Sequence, residues 1–241
     1  MNSTSLTPKK PLFRSMSLAA LAAVVAISGL ALAQDKAKTA PATPAAPAAT
    51  AAPKYKTNVK GPADAPIKVV EFADFMCGGC QLASGALRAY FAQQGNDISL
   101  TFKNFPLEKT CNPGIGQTIH NGACELALGA ICASELEAFW PYHDRIFSRA
   151  WQTATRKDVI ENGVAVGMNK AKLEACMASP AANSKLALQI KDAFEVQVGV
   201  TPTLVVNGKK LEATNQFANA VEEERKKLAG ARPGSPTPSP R

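Results

Sequence analysis

The 241-residue sequence has no internal repeat, no basic stripe, no basic amphipathic helix and no second C-x-x-C pair. Each gap removes a class of protein. Without a repeat of fixed period, stacked-repeat architectures are excluded. The formal net charge is +8, but Lys and Arg are scattered, and the runs Lys209-Lys210 and Arg225-Lys226-Lys227 are short. That pattern is a solvated surface rather than a nucleic-acid footprint, so no nucleic-acid partner is expected. Nothing offers an amphipathic basic grip on a membrane surface. A lone C-x-x-C is at most half of a paired zinc site, so no metal is expected at that pair.

What is present is concentrated in one stretch, Val69-Val70-Glu71-Phe72-Ala73-Asp74-Phe75-Met76-Cys77-Gly78-Gly79-Cys80. It reads as a buried strand running straight into a helix, with two cysteines at the junction. Cys77 falls at the helix N-cap, where unpaired N–H groups and the positive end of the helix dipole favour an anion. A thiolate there is nucleophilic near neutral pH. Cys80 follows one turn later, within reach of a disulfide. Gly78 and Gly79 place no side chain over the sulfur, so another chain could approach. A structural disulfide is the plain alternative; the strand-to-helix setting favours a redox pair.

The flanks of the sequence point outside the cytoplasm. Residues 1–15 carry Lys9, Lys10 and Arg14 and no acid, and residues 16–33 are apolar and end Ala31-Leu32-Ala33-Gln34. This is an export signal, expected to be cut after Ala33; its 18-residue apolar run is also the lower limit for an uncleaved membrane anchor. Cleavage removes three basic residues and leaves a net charge of +5. Either way the folded part lies in the periplasm or cell envelope, where disulfides persist. Residues 34–54 are nearly all Ala, Pro, Thr and Lys and form a disordered linker; residues 231–241 form a disordered tail. The folded domain is therefore residues 55–230.

Within it, Pro66 to Asp74 and Ile98 to Phe105 read as parallel strands joined by a helix over Gly78 to Gln94. That helix shows Leu82, Ala86, Leu87, Tyr90 and Phe91 at helical spacing. A Pro-, Gly- and Asn-rich loop over 106–121 opens an all-helical insert at about 107–197. Its helices are Cys124 to Glu137, one led by Phe139-Trp140, Lys157 to Met168, Lys170 to Met177, and one from Pro180 to about Gln197. Thr203 to Val206, Asn207-Gly208 and Lys209 to Leu211 read as a hairpin with a type I′ turn. Gln216 to Leu228 closes the domain as a helix. The fold class is α/β.

In this order the chain resembles the DsbA-like branch of the thioredoxin superfamily, a thioredoxin fold with an all-helical insertion, over residues 62–230. The resemblance is carried by Glu71-Phe72-x-Asp74-Phe75-x-Cys77-x-x-Cys80, by Phe139-Trp140-x-x-His143-Asp144-x-x-Phe147, by Gly199-Val200-Thr201-Pro202-Thr203 and by Val206-Asn207-Gly208. The segment from Cys111-Asn112-Pro113 to Gly122-Ala123-Cys124 is also similar to thioredoxin domains associated with vitamin K epoxide reductase homologues. The resemblance implies a protein-disulfide oxidoreductase in which Cys77 and Cys80 exchange disulfides. It implies a cis peptide before Pro202, with Thr201 and Pro202 holding an extended partner backbone beside Cys77. It places Glu71 beneath the dithiol, where desolvation should raise its pKa and let it relay a proton to Cys80. It implies structural disulfides Cys132–Cys176 and Cys111–Cys124. A second redox pair at Cys111–Cys124, or zinc held by Cys111, His120, Cys124 and Cys132, are the alternatives. His143, Phe139 and Trp140 are read as packing residues.

No cofactor is called for, since the cysteines carry the electrons. The expected partners are cysteine-containing exported proteins and a membrane redox partner, a quinone-linked oxidase or a reductase. The Gly78-Gly79 dipeptide departs from the Pro-His of DsbA and the Gly-Pro of thioredoxin. Lacking that histidine, Cys77 should be less acidic than in the strongest oxidants, which leaves the direction of electron flow open. A reductase or isomerase, or a tethered peptide-binding module without turnover, are the competing readings.

Overall fold

The computed structural model describes residues 57–231. The export signal over 1–33, the linker over 34–54 and nearly all of the tail over 231–241 lie outside the described residues. Strand β1 (Val59–Lys60) is followed by β2 (Ile67–Ala73), helix α1 (Gly78–Gln94) and β3 (Ile98–Asn104). β2 and β3 pair in parallel, Ile67 against Ile98 through Ala73 against Asn104, so α1 is a βαβ crossover. The alternation of β3 buries Ile98, Leu100 and Phe102 completely or nearly so.

Five helices follow before the chain returns to the sheet: α2 (Ala123–Glu135), α3 (Phe139–Ile146), α4 (Arg156–Ala165), α5 (Lys170–Met177) and α6 (Pro180–Glu195). α2 is apolar on almost every side, and ten of its residues are buried. A helix with no polar face sits at the centre of its neighbours rather than at the surface. The later helices start where local chemistry starts them. Thr155 and Asp158 form a reciprocal capping box on α4, Asn169 caps α5, and Ser179 caps α6 with Pro180 at its first position.

β4 (Thr203–Val206) then runs antiparallel to β2, and β5 (Lys209–Lys210) antiparallel to β4. The turn between them has positive φ at Asn207 (44°) and Gly208 (83°), as a type I′ turn requires. The sheet order is β1-β3-β2-β4-β5, and α7 (Phe217–Gly230) closes the chain. β2 lies at the centre, so its C-terminal end, where Cys77 follows, is enclosed by sheet on both sides.

The aromatic motif of α3 has a packing reason. Phe139, Trp140, His143 and Phe147 gather with Phe75 and Phe102, with ring centroids 4.9 to 6.4 Å apart. This cluster locks the insert against the ends of β2 and β3 behind the two cysteines.

Leu82 lies at helical spacing with Leu87 and Phe91, yet it is 77% exposed; the buried face is Cys80, Ala83, Ser84 and Leu87. Periodicity finds a stripe but not which of two adjacent stripes meets the sheet.

Candidate active site

β2 ends at Ala73, and Asp74 makes the bend. Its carboxylate is fully buried and accepts three hydrogen bonds: from the Met76 N–H (2.7 Å), the Leu107 N–H (2.7 Å) and His120 Nδ1 (2.9 Å). Its carbonyl accepts the Cys77 N–H at 3.1 Å. Asp74 therefore fixes the turn that delivers Cys77 to the N-cap of α1, in extended conformation (φ −75°, ψ 118°).

Cys77 is half-buried and Cys80 is buried completely; both are free thiols. The Cys77 pKa is lowered to about 5, first because the Cys80 thiol donates to its sulfur. Burial opposes the shift, while the Thr201 hydroxyl and the backbone N–H groups of Gly79 and Cys80 reinforce it. The Cys80 pKa is pushed up, first by burial and then by its donation to Cys77. One sulfur is thus an accessible anion and its neighbour a retained acid, which is the division that nucleophile and resolving thiol need.

Thr201 and Pro202 lie against the same sulfur. The Thr201–Pro202 peptide is cis. As a thiol, Cys77 donates to the Thr201 carbonyl oxygen at 3.4 Å. The buried Thr201 hydroxyl has no other hydrogen-bond partner and serves the ionised sulfur. The two glycines differ. A Cβ at Gly79 would stand 3.2 Å from Pro202 Cδ and 3.6 Å from Cys77 Sγ, whereas one at Gly78 would meet nothing within 4 Å. Only Gly79 is needed for close approach.

Glu71 sits beneath the pair, 1% exposed, with its pKa raised to about 8 by burial; the charge of Lys60 pulls weakly the other way. Its charge in turn raises the Cys80 pKa. Cys111 is joined to Cys124 (Cα–Cα 5.9 Å) and Cys132 to Cys176 (Cα–Cα 5.8 Å). With three of their four groups in disulfides or remote helices, Cys111, His120, Cys124 and Cys132 present no thiolate set to a zinc ion. Among the described residues, no other group of three His, Cys, Asp or Glu side chains is placed to hold a metal.

Sequence reasoning named His120 only as a ligand in the zinc alternative and did not connect it to Cys77. It lies 43 positions beyond Cys77, in the loop closed by Cys111–Cys124. Its pKa is raised, first by its hydrogen bond to Asp74, and the Cys77 anion adds a small further pull. The loop therefore supplies an imidazole, biased toward its protonated form by Asp74, that the Gly-Gly dipeptide lacks. Glu108 holds the loop in place by accepting the Gly122 and Cys124 N–H groups at 3.1 and 2.8 Å.

Beside the dithiol an apolar groove of about 480 Å³ runs from Gly79 and Pro202 past Leu82 and Tyr90 to Phe217. Leu82, which lines it, is 77% exposed.

A family model described as thioredoxin matches residues 53–223. Among solved structures, the chain is similar to a thioredoxin-like oxidoreductase from Silicibacter pomeroyi DSS-3, with TM-score 0.59 and 20% identity over 70% of this chain and 91% of that one. It is similar to oxidised BdbD from Bacillus subtilis, with TM-score 0.57 and 20% identity over 73% and 94%. It is also similar to Pseudomonas aeruginosa DsbA2, with TM-score 0.57 and 22% identity over 73% and 97%. At these identities the likeness is one of fold. Curated relatives include the Na(+)/H(+) antiporter NhaA 1 of Mycolicibacterium gilvum, 27% identical over 157 residues, 64% of this chain and 24% of the relative. The chain spans about a quarter of the length of such relatives.

Proposed function

The chain belongs to the thioredoxin family, and from that premise we propose that it is an exported thiol:disulfide oxidoreductase working through Cys77 and Cys80. The observation that carries the proposal is the paired asymmetry of the two sulfurs: Cys77 half-buried and readily ionised, Cys80 buried and holding its proton.

In the oxidising direction a substrate thiolate attacks the Cys77 sulfur of the Cys77–Cys80 disulfide. The S–S bond breaks, and Cys80 leaves with the electron pair and takes up a proton from Glu71. A second substrate thiolate then attacks the mixed disulfide and expels Cys77 as a stable thiolate. The substrate is oxidised by two electrons and the protein reduced by two. Thr201 and Pro202 bind the partner backbone, and the groove lined by Leu82 and Phe217 suits the apolar segments of incompletely folded chains.

The two disulfides away from the dithiol support an oxidising compartment, as does the export signal. The periplasm or cell envelope, exported cysteine-containing substrates and a membrane redox partner follow from the same reading. Among the described residues no helix is long and apolar enough to cross a membrane.

A reductase or isomerase is the second reading, favoured by one observation. A Cys77 pKa of about 5 falls between the ~7 of thioredoxin and the ~3.5 of DsbA. The test is catalysed refolding of reduced ribonuclease, with redox equilibration against glutathione. The oxidase reading expects accelerated formation of native disulfides, lost in Cys77→Ser. A potential near that of thioredoxin would transfer the assignment to a reductase, and no acceleration of either oxidation or reduction would leave a binding module.

A further inference from the structure

Glu71 and His143 are both buried, at 1% and 3% exposure, and each has a polar atom without a hydrogen-bond partner: Glu71 Oε1 and His143 Nε2. Unpaired buried polar atoms are rare, and each demands an explanation. Here the two residues line one small cavity between the sheet, α1 and α3. It has room for about one water molecule. On the far side, His143 Nδ1 lies 2.9 Å from Asp144 Oδ1, and the Asp144 side chain is 38% exposed.

The geometry points to a role for His143 as the positioning residue of a proton path, which runs from Cys80 through Glu71 and one buried water to Asp144 at the surface. This deepens the exchange reading above and rests on it. With Nδ1–H donating to Asp144, Nε2 carries a lone pair aimed into the cavity, as the tautomer logic of a buried imidazole requires. A water there can donate to Nε2 and exchange a proton with Glu71.

The charged and titratable groups around the path are few. Lys60 approaches from β1, its ammonium 4.0 Å from the Trp140 ring centre, and Arg88 from α1 lies 3.8 Å from Asp144. Cys80 also comes from α1, and Asp144 from α3 itself; the strand neighbours of Glu71, Phe102 and Leu204, do not titrate. Burial lowers the His143 pKa, and the positive charges of Lys60 and Arg88 add to that, while Asp144 opposes. The imidazole is thereby kept neutral and able to accept. An open cleft of about 390 Å³ shares Lys60, Arg88 and Phe91 with the cavity, so the path ends beside bulk solvent.

The path serves the step in which Cys80 must ionise. Glu71 first yields its own proton through water and His143 to Asp144 and solvent, and the Cys80 proton then passes to the Glu71 carboxylate. The Cys80 thiolate attacks the Cys77 sulfur of a mixed disulfide, the Cys77–Cys80 bond forms, and the bound partner leaves as a thiolate with the electron pair of the broken bond.

Stopped-flow reaction of the reduced protein with 5,5′-dithiobis(2-nitrobenzoate) separates the two sulfurs. The first nitrobenzoate thiolate is released by Cys77 and the second by Cys80. His143→Gln should slow the second phase about tenfold and leave the first within about twofold, since proton transfer is the step affected. Glu71→Gln should slow the second phase more, and the double variant should be no slower than Glu71→Gln alone. Asp144→Asn, at the surface, should slow the second phase about threefold and guards against a folding defect in His143→Gln. An unchanged second phase in Asp144→Asn, equal slowing of both phases in His143→Gln, or multiplying losses in the double variant would overturn the path. A wild-type protein that releases the first thiolate but never the second would instead overturn the exchange reading itself.

Discussion

Replacing Glu71 by Gln should make the protein more stable at neutral pH, and by an amount that grows with pH. Burial holds the Glu71 carboxyl at about 8 in the folded chain, against 4.5 for the free side chain. The folded state thus keeps a proton that the unfolded state releases between those values. Stability from this group is full below about pH 4.5 and is lost as pH rises toward 8. The whole gap corresponds to about 5 kcal/mol, of which about 3 kcal/mol has gone by pH 7. Glutamine has the same shape and no charge to desolvate. The assay is urea unfolding of the oxidised wild type and Glu71→Gln between pH 4.5 and 8, with the Cys77–Cys80 disulfide formed so that Cys80 does not titrate. The difference between the two proteins cancels every other titrating group. It should be near zero at pH 4.5 and favour the variant by roughly 3 kcal/mol at pH 7. A difference that stays flat across this range would refute the desolvation argument and with it the carboxyl's fitness to carry a proton for Cys80.

The two glycines of the dipeptide should respond differently. Gly78→Ala adds a methyl group to open space and should stabilise α1 by about 0.5 kcal/mol in urea unfolding. Gly79→Ala forces Pro202 to give way by a few tenths of an ångström and should slow disulfide exchange in the ribonuclease assay while leaving Gly78→Ala at the wild-type rate. Removing Cys132–Cys176 by paired alanines, across a separation of 44 residues, should cost about 4 kcal/mol. Removing Cys111–Cys124, across 13 residues, should cost about 3 kcal/mol and should also raise the Cys77 titration midpoint by loosening the loop that carries His120.

The strand-to-helix junction was legible because its signals are local. The apolar run of β2, the N-cap cysteine and the helical spacing of α1 all lie within 28 consecutive residues, and α1 runs from Gly78 to Gln94 as the spacing predicts. β1 was not legible, because two residues carry no periodicity; Val59 and Lys60 pair with β3 only through tertiary placement. Leu82 lies at helical spacing, but a helix of this composition offers two apolar stripes, and the packing of Cys80, Ala83, Ser84 and Leu87 decides which is buried. His120 could not be tied to Cys77 from spacing, since Asp74 is what brings a distant loop to the site. His143 was read as a packing residue and does pack among Phe75, Phe102, Phe139, Trp140 and Phe147. What the sequence could not reveal is that its free nitrogen faces the same cavity as a carboxyl on another element.

The most direct measurement is the thiolate absorbance at 240 nm of the reduced protein, titrated from pH 3 to pH 10. A single thiolate should appear with a midpoint near pH 5, vanish in Cys77→Ser and persist in Cys80→Ser. A midpoint near that of an ordinary cysteine, or a transition that survives loss of Cys77, would contradict the assignment of Cys77 as the attacking sulfur.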